Sequence, residues 1–90
     1  QKLEFAGIAL DMASHKASYK NKDIVVGPTE FRLLAHFVEN PGRTFSRENL
    51  LNSVWGQDIY VELRTVDVHI RRLRKAMEAC DPAAAELIKT

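Results

Sequence analysis

The chain has 90 residues, of which 46% are hydrophobic and 28% charged, with a net charge of +1. That is one small soluble domain with a modest core, and no apolar run approaches the roughly 20 residues needed to span a membrane. The single cysteine, Cys80, excludes an internal disulfide and a multi-cysteine metal site. The first residues lack signal-peptide architecture, so the expected location is a reducing cytoplasm.

In chain order, residues 1–26 predict three or four short antiparallel strands. Leu3 and Phe5 alternate with charge, Ala6-Gly7 forms a turn, and Ile8 and Leu10 alternate again. The polar cluster Lys20-Asn21-Lys22-Asp23 predicts a second turn with Asn21 left-handed, before β-branched Ile24-Val25-Val26. A sheet this small is expected to pack on helices.

Gly27-Pro28-Thr29-Glu30 predicts a helix start, with proline at the first position and Glu30 at the positive end of the dipole. Phe31, Leu34, Phe37 and Val38 form its apolar stripe, and Asn40-Pro41-Gly42 stops it. A second helix is predicted from Ser46, whose hydroxyl can cap the amide of Asn49. Leu50, Leu51, Val54 and Trp55 form its buried side, and Gly56 its C-terminal cap. Gln57 to Leu63 is a loop of apolar character. A third helix is expected from about Leu63 to Ala79, ended by Asp81-Pro82. Residues 83–87 predict a helical turn, and Ile88-Lys89-Thr90 the opening of a strand.

The third helix carries the functional signal. Residues 64–75 hold five basic groups (Arg64, Arg71, Arg72, Arg74, Lys75) and one acid, Asp67, against eight basic and eleven acidic residues elsewhere. Such asymmetry orients a polyanionic partner, although a solvated helix face reads the same way from charge alone. On a helical wheel Val66, Ile70, Leu73 and Met77 fall within about 60° of one another, a core seam. The opposite side presents Arg64, Val68, Arg71, Arg72 and Lys75. Asp67 and Arg74 lie on one flank, His69 on the other. A valine amid arginines is either a scattered surface apolar residue or a contact for a thymine methyl in a major groove, where arginine forks onto guanine. The narrow seam without Trp or Phe argues against membrane binding; an acidic protein partner remains the alternative.

The blocks "GPTEFRLL", "FSRENLLNSVWG", "YVELRTVDVHIRRLRKAM" and "LIKT" resemble the C-terminal effector domain of OmpR/PhoB-type response regulators, most closely the PhoB-like activators of phosphate regulons. The resemblance covers nearly the whole chain, most strongly from Gly27 to Met77, and rests on the order and spacing of all four blocks.

It implies an α+β winged helix. An N-terminal antiparallel sheet (1–26) precedes a three-helix core (27–79) and the start of a wing region (80–90). The third helix would be the recognition helix. Val68 and Arg72, with Asp67 beside them, would read base edges. Trp55, Arg64, Thr65, His69, Arg71 and Arg74 would face phosphates, joined by Arg47 at the second helix. The Trp55 ring is expected inside, with its indole N–H toward the DNA backbone. Asp58, Ile59, Tyr60, Val61 and Glu62 correspond to a loop that contacts an RNA polymerase sigma subunit, although the apolar three could equally tuck against Trp55.

The implied partners are promoter DNA with direct repeats, the polymerase and a second copy of the chain. The implied fold also has a wing hairpin beyond Thr90 and a receiver domain before Gln1. Neither falls within these residues, so reduced DNA affinity is expected. His15 and His36 read as structural or surface residues. No metal-ligand spacing, phosphate loop, nucleophile motif or paired carboxylate occurs, so neither catalysis nor a cofactor nor a small-molecule substrate is expected.

Overall fold

Alternation in residues 2–24 becomes a four-stranded antiparallel sheet in the computed structural model, which describes residues 2–56 and 61–88. The strands are β1 (Lys2–Phe5), β2 (Ile8–Asp11), β3 (Lys16–Tyr19) and β4 (Lys22–Ile24), paired in chain order. Phe5 pairs with Ile8 and Tyr19 with Lys22, so two of the turns have two residues each. Ala6 and Gly7 (φ 50° and 93°) and Lys20 and Asn21 (φ 48° and 69°) all take the positive φ that tight hairpins need. In the remaining turn the Asp11 carboxylate accepts from the amides of Ala13 and Ser14 at 3.0 and 3.3 Å. Period-two alternation sends Ile8, Leu10, Ala17, Tyr19 and Ile24 to the buried face.

Four helical segments follow: α1 (Pro28–Glu39), α2 (Arg47–Leu50), α3 (Leu63–Cys80) and α4 (Pro82–Ala85). The predicted stripe of α1 is buried, but so are Leu33 and Ala35, because α1 is covered by both the sheet and α3. Asn40 ends α1 by donating its side-chain amide to the His36 carbonyl at 2.9 Å. Ser46 caps α2 as expected. Its hydroxyl accepts from the Asn49 amide at 3.1 Å, and the Asn49 side chain accepts from the Ser46 amide at 3.4 Å.

The second helix departs from the expected uniform α-helix. After four α residues it widens into a π turn over Leu51–Trp55, closed by the Gly56 amide on the Leu51 carbonyl at 3.1 Å. Leu50 is fully buried, whereas Leu51, Val54 and Trp55 are half-buried. A wheel drawn at 100° per residue assumes a uniform step, and the wide turn lags behind it.

α3 runs to Cys80, one residue beyond expectation. Asp81 then accepts from the Ala83 amide at 2.9 Å and starts α4 with Pro82 in the first turn. Ile88 is buried and follows further turning rather than a strand, since its amide bonds the Ala85 carbonyl. Lys89 and Thr90 lie outside the described residues. One apolar cluster joins the sheet's inner face to α1, α3, Leu50, Phe45, Ala84 and Ile88. Among the described residues, no helix is long and apolar enough to cross a membrane.

Candidate nucleic-acid interface

Eighteen residues of unbroken helix let α3 sort its side chains cleanly. Val66, Leu73 and Met77 are 0% exposed and Ile70 is 5% exposed, so the predicted seam is the buried one. Arg64, Arg71, Arg72 and Lys75 are exposed on the other side, and Val68 is half-buried among them. The seam thus fixes the rotation of the helix, and the rotation turns a cationic row outward.

The remaining sequence-predicted residues are tied to particular partners. Arg47, read as a phosphate ligand, donates to the Asp67 carboxylate at 2.9 Å. This pair links α2 to α3 across the surface, and both side chains are about half exposed (51% and 44%). Arg74 donates to the Ile88 carbonyl at 3.0 Å and so ties α3 to the chain after α4. Thr65 is half-buried in the first turn of α3, its amide bonded to the Glu62 carbonyl. Glu62 is exposed and Val61 half-buried, whereas Asp58, Ile59 and Tyr60 fall outside the described residues.

Glu30 is the residue that sequence reasoning missed. It was assigned only to the positive end of α1. It is 7% exposed, buried more deeply than any other charged residue described. Its carboxylate meets His69 Nδ1 at 2.5 Å. The Trp55 ring stands 5.6 Å from that of His69. Three elements therefore converge beside the cationic row. Burial pushes the Glu30 carboxyl up. The His69 hydrogen bond, the carboxyl's own backbone amide and the charges of His69 and Arg72 outweigh that, and hold it below its ordinary value.

Gly27 makes room for this carboxylate, since a Cβ there would lie 2.6 Å from Glu30 Oε1. Glu30 thus folds back onto the first turn of its own helix, where the dipole favours an anion. No spacing signal in the sequence could have paired residues 39 positions apart. Trp55 is packed against the core as expected and is half-buried; its contact with His69 was not foreseen.

Among the described residues, no cluster of three or more His, Cys, Asp or Glu could hold a metal ion. The surface is cationic and helical.

Comparison with known proteins agrees with this geometry. The family "Transcriptional regulatory protein, C terminal" matches residues 21–90. The chain belongs to this family. It is 55% identical over 76 residues to the phosphate regulon transcriptional regulatory protein PhoB of Escherichia coli (strain K12), covering 84% of this chain and 33% of that protein. The chain therefore spans about a third of that relative's length. The DNA-binding domain of Bacillus subtilis CssR is 33% identical with a TM-score of 0.69, over 79% of this chain and 82% of that one. The DNA-binding domain of response regulator AdeR, solved in complex with an intercistronic region, is 25% identical with a TM-score of 0.74, over 84% and 78%. The sheet followed by helices is thus the winged-helix arrangement of OmpR/PhoB effector domains.

Proposed function

We propose that this chain is the effector domain of a two-component response regulator and binds duplex DNA sequence-specifically to regulate transcription. The observation that carries this reading is the outward row Arg64, Val68, Arg71, Arg72 and Lys75, set opposite the buried seam of one long helix. α3 enters the major groove. Arg72 forks onto a guanine edge and Val68 lies against a thymine methyl. Arg64, Thr65 and Arg71 hold phosphates and set the register, with Trp55, His69 and Arg74 at the edges of the same face.

Arg47 and Asp67 exchange partners on binding. Arg47 swings to a phosphate, and Asp67 is released to accept from a cytosine amino group. The exchange costs little, because an exposed pair contributes only about 0–1 kcal/mol. The AdeR domain was solved with an intercistronic DNA region, and the PhoB relative is named for a phosphate regulon. Both support promoter DNA as the partner here; we propose in addition that two copies bind on direct repeats. By the family resemblance, the segment 58–62 is the part of the chain that contacts an RNA polymerase sigma subunit. The activity is binding rather than catalysis, in the cytoplasm.

The test is a pair of substitutions assayed on cognate and random duplexes. Arg72→Ala is expected to cost about 1–3 kcal/mol on the cognate duplex and to relax specificity at one base pair. Arg71→Ala is expected to weaken both duplexes alike and flatten the salt slope by about one. Equal losses from Arg72→Ala on the two duplexes would remove base reading by that residue.

A further inference from the structure

The Glu30–His69 contact is unusual in where it stands. Glu30 belongs to α1, outside the outer row of α3, and yet is the most buried charge described. A buried carboxylate is costly unless it is paired and hydrogen-bonded. Three features hold it here: the first turn of α1, the side-chain-free Gly27 and the imidazole of His69. His69 is one residue from Val68 and three from Arg72, at the margin of the outward row. Its Nδ1 is taken by Glu30. Among the described residues its Nε2 has no hydrogen-bond partner. Nor is that nitrogen sealed off, in contrast to the buried and unpartnered Nε2 of His36.

This geometry limits what the ring can do. With Nδ1–H held by the carboxylate, a neutral imidazole offers only a lone pair at Nε2, which repels a phosphate oxygen. With one more proton, taken from solvent, Nε2 becomes a donor and the ring carries a positive charge. The carboxylate behind the ring and a phosphate in front of it both favour that state. We infer that Glu30 is a positioning residue of the interface, orienting His69 so that duplex binding is coupled to protonation of its imidazole and Nε2–H donates to a backbone phosphate.

The inference rests on the DNA-binding reading and adds a residue and a proton to it. The charges acting on the pair are Glu30 from α1 and His69 and Arg72 from α3. From α2, Arg47 is engaged by Asp67, and the π turn contributes the uncharged Trp55 ring.

The contact is to phosphate, so a mixed-sequence duplex at fixed salt serves as the probe. Anisotropy titrations between about pH 5 and 8 span the histidine range. Calorimetry in two buffers of different ionisation heat reads proton uptake. The wild-type chain is expected to bind more tightly as pH falls and to take up protons on binding. His69→Gln is expected to bind about tenfold more weakly at the acidic end, the loss of one charge-assisted hydrogen bond, and to lose the uptake.

Glu30→Gln keeps the size and a hydrogen bond but not the charge. It is expected to bind more weakly near neutral pH and to approach wild-type affinity only at lower pH. A purely structural role for Glu30 would weaken binding equally at every pH. Three results would overturn the inference: wild-type affinity independent of pH, uptake unchanged in His69→Gln, or a Glu30→Gln profile that superimposes on the wild type. If Glu30→Gln fails to fold by circular dichroism, Glu30→Asp, which keeps the charge but shortens its reach to His69, takes its place, and a pH profile superimposing on the wild type overturns the role of Glu30. Absence of duplex binding by the wild type at every pH would instead overturn the DNA-binding reading, whereas binding without proton uptake overturns only this inference.

Discussion

Two side-chain pairs reach α3 from other helices, and their exposures predict different strengths. Glu30–His69 has side chains 10% and 20% exposed; Arg47–Asp67 has 51% and 44%. Double-mutant cycles to alanine on each pair, read by urea denaturation near neutral pH, isolate the two couplings. The buried pair is a charge-assisted hydrogen bond shielded from water. Its coupling is expected at about 1.5–3 kcal/mol, less whatever desolvation its charges still carry. The exposed pair is expected at about 0–1 kcal/mol, because water and salt screen it. Removing Glu30 also strips an anion from the first turn of α1, a further loss of about 0.3–1 kcal/mol that falls in the single mutant and cancels in the cycle.

The pH dependence has a defined sign. The folded Glu30 carboxyl lies below its ordinary value of 4.5, so its stabilisation is present in full above that value and lost as pH falls through the folded one. The Glu30→Ala deficit should therefore shrink in acid. A larger coupling for Arg47–Asp67 than for Glu30–His69, or a Glu30→Ala deficit that persists unchanged well below pH 4.5, would refute the reasoning.

Two further substitutions test local structure. Ser46→Ala removes one half of the capping box and is expected to cost about 1 kcal/mol, a fall in melting temperature of about 4–8 °C for a domain of this size; no change in thermal denaturation would show that the cap is not limiting. Ala6→Asn places a residue tolerant of positive φ at the first turn position, where alanine stands at φ 50°, and is expected to raise stability by several tenths of a kcal/mol; destabilisation would count against that turn geometry.

What the sequence made legible follows from the range of each interaction. The α3 seam was readable because periodicity persists through an unbroken helix, and four apolar positions leave one rotation that buries them all. The hairpins were readable because Ala6-Gly7 and Lys20-Asn21 interrupt alternating segments. The Ser46 cap was readable because its partner lies three residues away. The π turn was not, because one widened turn leaves no mark on composition. Pairings across space were also hidden. Arg47 and Asp67 were both assigned to DNA, yet they hold each other in the free chain. Arg74 sits on the expected flank of α3, but nothing local indicates that it reaches the Ile88 carbonyl. Glu30 was read as a helix-dipole residue and no more, because its partner arrives from α3 only once α1 and α3 have packed.

The central claim is that the outward face of α3 is where duplex DNA binds. Backbone amide shifts recorded while a mixed-sequence duplex is titrated into the chain locate the contact directly. The predicted result is that the largest changes cluster at Arg64, Val68, Arg71 and Arg72, with little change at Glu4, Ala9 and Ser18 on the far side of the sheet. Largest changes on the sheet, with α3 silent, would contradict the account.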